Sequence, residues 1–262
     1  MVLFGSAFLL VFVFFGTWKL SVRKDNYSFV DVAWALSFAP VALGYALLLD
    51  GWWVRKMVVA CLVCGWSLRL GGYLWGRVAA HHPAEDPRYA VLREKWSDVL
   101  KKCFLKFFLA QAVLVWLLML PVYLIARQTE VAFQPIEIAG IALWFVALLG
   151  EGLADRQLKR FKQSNSDPKA VCQEGLWRYS RHPNYFFQSL LWWALFLMAT
   201  PAPWGWTAIL APFAMLWFLL RVTGIPLTEK LAAERKGKAY ETYQQTTNAF
   251  VPWWRKAQTT SS

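Results

Sequence analysis

The chain reads as an all-α, polytopic integral membrane protein of seven transmembrane helices, with its N-terminus outside and its C-terminus in the cytoplasm. Three features carry that reading. Apolar runs of nearly bilayer length recur along the chain. Basic residues gather in alternate connections, and tryptophans cluster where the runs end. Across 262 residues, 58% are hydrophobic and 17% aromatic, well beyond the composition of a soluble domain.

The runs lie near 2–17, 33–49, 57–75, 104–125, 136–154, 186–200 and 204–220, each approaching the ~20 residues that cross a bilayer. The sixth is the shortest. Met1–Gly16 lacks a basic n-region and an A-x-A site, so the first run is expected to be a span and not a cleaved leader. Lys19, Arg23 and Lys24 follow run one, and Arg77 to Lys102 fill the connection after run three. Arg156 to Arg181 follow run five, and Lys230 to Lys238 follow run seven. The alternate connections hold only Arg55, Lys56 and Arg127. This distribution accounts for the net charge of +12 by membrane topology and contact with anionic lipid, and argues against a nucleic-acid partner. Trp18, Trp52, Trp53, Trp204, Trp206, Trp253 and Trp254 mark the ends of spans. Cys61 and Cys64 lie inside run three and read as buried structural thiols; no metal site is expected. The polar tail Ala257–Ser262 is expected to fray.

Polar residues inside such runs are costly and mark function. In run five, Glu151 and Asp155 share a helical face that continues through Lys159 and Lys162, a stripe suited to a water- or ligand-filled cavity. Run three carries Arg69, Tyr73 and Arg77 at spacings of four; Arg69 is expected to face inward, and Arg77 reads as a topology charge. Asp31 opens run two as either an N-cap or an acid for chemistry. Glu85-Asp86-Pro87-Arg88-Tyr89 reads as a structured cap over the basic face. The densest polar stretch is Gly175-Leu176-Trp177-Arg178-Tyr179-Ser180-Arg181-His182-Pro183-Asn184-Tyr185-Phe186, which suits an anionic, polar ligand. Thr228, Glu229, Tyr240 and Tyr243 follow on the same side. No Rossmann, Walker, nucleophile-elbow or zincin motif is present.

The Arg-His-Pro-Asn-Tyr core resembles the C-terminal cofactor module of the steroid 5α-reductases, the sterol reductases and the isoprenylcysteine carboxyl methyltransferases. Val30-Asp31-Val32-Ala33-Trp34, Leu68-Arg69-Leu70, Glu85 to Tyr89, Gly150-Glu151, Ala154-Asp155, Gly224-Ile225-Pro226 and Phe250-Val251-Pro252-Trp253 are similar to a bacterial group, long catalogued as a domain of unknown function, placed with the steroid 5α-reductases. That likeness implies a single membrane domain over 1–262, with substrate-side helices over about 1–126 and a cofactor module over about 136–254. It implies NADPH held by Asp155, Lys159, Lys162, Arg178, Tyr179, Arg181, His182, Asn184, Tyr185, Glu229, Tyr240 and Tyr243. It further implies reduction of an activated C=C bond in a steroid-like or isoprenoid substrate, in a bacterial inner membrane. The glutamate and tyrosine that polarise the substrate ketone in the reductases fall at Trp34 and Trp66 here, so Asp31 and Tyr73, with Glu151, are the expected acid network. The alternatives are an S-adenosylmethionine-dependent methyltransferase and a non-catalytic lipid-binding relative. The expected partners are membrane lipids and a lipophilic small molecule; the sequence leaves the oligomeric state open, and a monomer is compatible with it.

Overall fold

The computed structural model describes residues 1–167, 169–222 and 224–255; Ala257–Ser262 lie outside them. Among the described residues the regular structure is helical, apart from one isolated parallel bridge between Ser180 and Asn248. Six helical stretches are long and apolar enough to cross a membrane: Val2–Lys24, Phe29–Leu48, Trp53–His81, Ser97–Ala126, Pro135–Ser164 and Gly205–Lys236. The sixth expected span corresponds to Pro183–Ala199, which has 17 residues. At 1.5 Å per residue it is about 26 Å long, short of the ~30 Å hydrocarbon core. The six long helices make this an integral membrane protein.

The chain divides into two compact units. Unit 1 is Met1–Ala139 with Leu195–Ala214; unit 2 is Gly140–Ala194 with Met215–Ser262. Unit 1 contains α1 (Val2–Lys24), α2 (Phe29–Leu48), α3 (Trp53–His81), α4 (Pro87–Lys95), α5 (Leu100–Leu118) and α6 (Leu120–Ala126). Phe14, Phe38, Trp66, Phe104 and Phe108 are fully buried in its core, and Tyr27 stacks on Phe104. Pro40 interrupts α2, because proline has no N–H for the helical ladder. Ser67 of α3 occupies the disturbed turn: its hydroxyl donates to Ala35 O at 2.6 Å and accepts from Ala39 N at 3.2 Å.

At the opposite end from the Pro87 helix, Arg55 is buried without exposure. It forms a bidentate pair with Glu137, at 2.7 and 3.1 Å, and donates to the carbonyls of Glu130 and Ala132. Lys56 is also buried and donates to Leu49 O. Two of the three cations in the sparse connections are therefore structural clamps, satisfied inside the protein as buried charges must be. Cys61 departs from expectation: it is exposed on α3, while Cys64 is partly buried, with its thiol 3.6 Å from Ala39 O. Neither forms a disulfide.

Unit 2 contains most of α7 (Pro135–Ser164), the 3-10 turn Gly175–Arg178, the first part of α8 (Pro183–Ala199), the end of α9 (Leu210–Trp217), α10 (Ile225–Lys236) and α11 (Lys238–Thr246). Trp144, Ala154, Trp177, Trp192, Tyr240 and Tyr243 form its core. Gly175 has φ of 55°, and a Cβ there would run into the Gln157 amide. That same amide accepts from Leu176 N at 2.9 Å, so glycine is what lets the turn seat against α7.

Candidate functional site

Unit 2 gathers most of the residues singled out in the sequence, but in three different settings. The first is an internal latch. Glu229 of α10 accepts from Arg181 Nε at 2.9 Å and Nη2 at 2.8 Å, from Tyr240 at 2.7 Å and from Gln244 at 2.7 Å, and lies 2.8 Å from His182 Nε2. Arg181 Nη1 donates to the carbonyls of Gln244 and Thr247. Every guanidinium nitrogen of Arg181 thus has a protein partner, in the bidentate geometry that suits a carboxylate. The Tyr243 hydroxyl donates to the carbonyls of Trp177 and Ser180. Arg181 N donates to Asn248 O at 2.9 Å, and Trp253 N to Tyr179 O at 3.0 Å. Burial first, and then the Glu229 carboxylate, push the Tyr240 phenol up; burial also raises Tyr243. Both stay neutral donors. Arg181, His182, Glu229, Tyr240 and Tyr243 therefore fasten the C-terminal segment to the 175–182 turn. Gln244, one helical turn beyond Tyr240, completes the latch and was missed in the sequence; the i, i+4 spacing was its only signal.

The second setting is the junction of α7 and α8. Glu151 and Asp155 are buried one turn apart on α7, as the four-residue spacing requires. Asn184 Nδ2 donates to Asp155 Oδ1 at 3.4 Å. Asn184 Oδ1 is buried and accepts no hydrogen bond among the described residues. A buried carbonyl oxygen left this way loses a hydrogen bond it would have had in water, and such groups are common where a ligand completes the shell. Tyr185 stacks on His182, with centroids 5.4 Å apart and planes 7° apart.

The third setting is a cationic surface. Lys159, Lys162 and Arg178 are exposed, with Lys159 and Lys162 continuing along α7 from Asp155. Burial pushes the Cys172 thiol up, while Lys236 and Lys162 stand close enough to pull it the other way. Lys162 and Lys236 thus both act on Cys172, the second a cation not singled out in the sequence. Tyr179 packs edge-on against Trp254 at 5.8 Å.

Asp31 and Tyr73 lie in unit 1. Asp31 is in the first turn of α2, whose N-cap is Ser28, so it is not the cap. Its Oδ2 accepts from Arg88 at 2.6 Å and Arg77 at 3.2 Å, and its Oδ1 accepts from the Tyr89 hydroxyl at 2.6 Å. Arg77, read as a topology charge, instead bridges Asp31 and Asp86, the latter at 3.3 Å. The 85–89 segment is held in place by these and further pairs. Asp86 caps α4 by accepting from Arg88 N at 3.0 Å ahead of Pro87, and Glu85 accepts from Tyr27 N and Arg93. Burial opposes ionisation of Asp86, but hydrogen bonds and charge from Arg88, with Arg77, hold its carboxyl below the usual range. Burial and the Asp31 charge keep the Tyr89 phenol well above the tyrosine range. Tyr73 is half-buried on α3. Trp34 packs edge-on against Trp66 at 6.2 Å, and its buried Nε1 donates to nothing among the described residues.

Residues 17–247 match the family model described as a protein of unknown function, DUF1295. The chain is 28% identical over 267 residues to uncharacterized protein C594.04c of the fission yeast Schizosaccharomyces pombe, covering 90% of this chain and 75% of that one. No solved structure matches. With most of its length inside the family model, the chain belongs to the DUF1295 family.

Proposed function

For this DUF1295 protein we propose a membrane-embedded, NADPH-dependent reductase of an activated C=C bond in a lipophilic, steroid-like or isoprenoid substrate. The buried Asn184 Oδ1, without a partner among the described residues, carries the reading. An amide oxygen is an acceptor that the carboxamide NH₂ of a nicotinamide matches, and the cations Lys159, Lys162 and Arg178 of the same unit match phosphates. Bound there, NADPH would supply the hydride.

The chain's own residues do the rest. Asp155 holds the Asn184 amide so that Oδ1 stays free to accept. Lys159, Lys162 and Arg178 meet the phosphates, whereas Arg181, His182, Glu229, Tyr240 and Tyr243 fix the wall that carries Tyr179 and Tyr185. Glu151, buried on the α7 face it shares with Asp155, is the proposed proton donor to the developing enolate. Asp31, which accepts from three donors, serves to hold the cap. The 17-residue α8 is read as a seventh, thin span. The positive-inside distribution puts the C-terminus in the cytoplasm, with the bacterial inner membrane as its setting.

One observation favours a rival. With Arg181 held internally, fewer cations remain for three phosphates, which suits S-adenosylmethionine better than the charge map suggests. Thermal unfolding of detergent-purified protein separates the two, since a ligand at 100 times its Kd stabilises the folded state by about 2.7 kcal/mol. Stabilisation by NADPH, weaker by NADH and absent with S-adenosylmethionine, is expected. Protection by S-adenosylmethionine alone overturns the reductase.

A further inference from the structure

The outer face of unit 1 carries a groove between α1 and α2, about 220 Å³ in volume. Leu10, Val13 and Thr17 form one wall, and Ala33, Ser37 and Pro40 the other. Small side chains and the interrupted ladder at Pro40 keep the α2 wall low. The two hydroxyls are turned back on their own helices: Thr17 donates to Val13 O at 2.8 Å, and Ser37 donates to Ala33 O. Neither hydroxyl proton is left to donate to a polar ligand. The volume also falls short of the roughly 300–1,000 Å³ that encloses a compact organic molecule, and the trough is open along its length. Both helices are long and apolar enough to span a membrane, which suits the trough to an acyl chain.

Its basic end supplies selectivity. Val13, Thr17 and Lys24 follow one another at helical spacing on a single stripe of α1, and Lys24 and Arg23 form the basic last turn of that helix, both exposed. The nearest acid in sequence, Asp25, pairs with Arg93 at 2.8 Å, which leaves Lys24 and Arg23 to a headgroup at the membrane surface.

We propose that the groove holds one acyl chain of an anionic phospholipid whose headgroup sits at Lys24 and Arg23. The site is independent of the reductase reading. The protein, purified in mild detergent, is titrated with phosphatidylglycerol or phosphatidylcholine of identical chains. Retained lipid is counted by native mass spectrometry and melting is followed in parallel. A 1:1 adduct is expected with phosphatidylglycerol at several-fold lower lipid concentration than with phosphatidylcholine. Lys24→Ala with Arg23→Ala should abolish that preference. Ala33→Phe, filling the trough, should remove the adduct; Leu9→Trp, at its exposed rim, does the same job if the first variant misfolds. Equal retention of the two lipids by the unaltered protein, or an adduct that survives both fillings, overturns the proposal. So does a detergent-stable dimer that the fillings dissociate, since it would give the groove to a second copy.

Discussion

Charge is used differently in the two units. In unit 1, the basic residues around the α4 cap are matched one by one: Arg88 and Arg77 to Asp31 and Asp86, Arg93 to Glu85 and Asp25. At the other end, the fully buried Arg55 is matched to Glu137. In unit 2, one acid, Glu229, gathers Arg181, His182, Tyr240 and Gln244, while Lys159, Lys162 and Arg178 stand on the surface with basic neighbours. A crowd of charge is thus no guide to a ligand by itself. Where acids and bases alternate, the charges hold the fold; where exposed cations outnumber acids, in the unit that also carries Asn184, a ligand is the proposed reason.

That contrast breaks most visibly at Arg55. Glu137→Ala leaves a fully buried guanidinium unpaired and is expected to cost about 3–5 kcal/mol, read as a large fall in melting temperature. Arg55→Met with Glu137→Leu should recover much of the loss; no recovery would mean that the pair does more than neutralise itself. Next comes the latch. Arg181→Ala removes a bidentate pair and two carbonyl contacts, and about 2–3 kcal/mol is expected from losing a partner of a charged, mostly buried group. Cleavage by protease near Gly224 should rise in step. If Arg181→Ala instead leaves stability intact and abolishes NADPH selectivity over NADH, the latch assignment fails.

A smaller effect follows from acid titration of the cap. The folded Asp86 carboxyl is held below its unfolded value of about 3.9, so its stabilisation is complete above that pH and drains away as pH falls through the lower folded value. Melting temperature should therefore drop on acidification, and Asp86→Asn should flatten that part of the profile while lowering stability at neutral pH. An unchanged acid limb would remove Asp86 from the cap. Smallest for stability is Lys159→Ala, within about 0.5 kcal/mol as for an exposed side chain, yet it should weaken NADPH binding several-fold. A variant that binds normally would take Lys159 out of the phosphate set.

Much of the fold was readable because it is local. The long apolar runs and the four-residue spacing of Glu151 and Asp155 follow from hydropathy and the 3.6-residue period, and both recur in the helices observed. The cap at 85–89 was readable from Asp86-Pro87, a pairing of N-cap and N1 residue. What stayed hidden were partners far apart in sequence. Arg88 meets Asp31 across 57 residues and Arg181 meets Glu229 across 48, and no periodicity links them. Hence Arg77 looked like a topology charge, Arg55 and Lys56 like loop residues, and Arg181 like a phosphate ligand. Cys61 looked buried because apolar context does not separate a lipid-facing side from a core-facing one. The acceptor at Asn184 was legible as a residue type, but its lack of a partner emerged only with α7 beside α8.

The role given to unit 2 rests on that acceptor and the cations beyond it. Titrating NADPH into purified protein and into Asn184→Leu, with melting temperature followed in parallel, addresses it directly. Saturable binding by the unaltered protein, weakened about tenfold or more in the variant, corresponds to the loss of one well-made hydrogen bond of about 1.4 kcal/mol, and the variant should melt no lower than its parent. Equal NADPH affinity in the two proteins, or no binding by either, would contradict a nicotinamide site at Asn184.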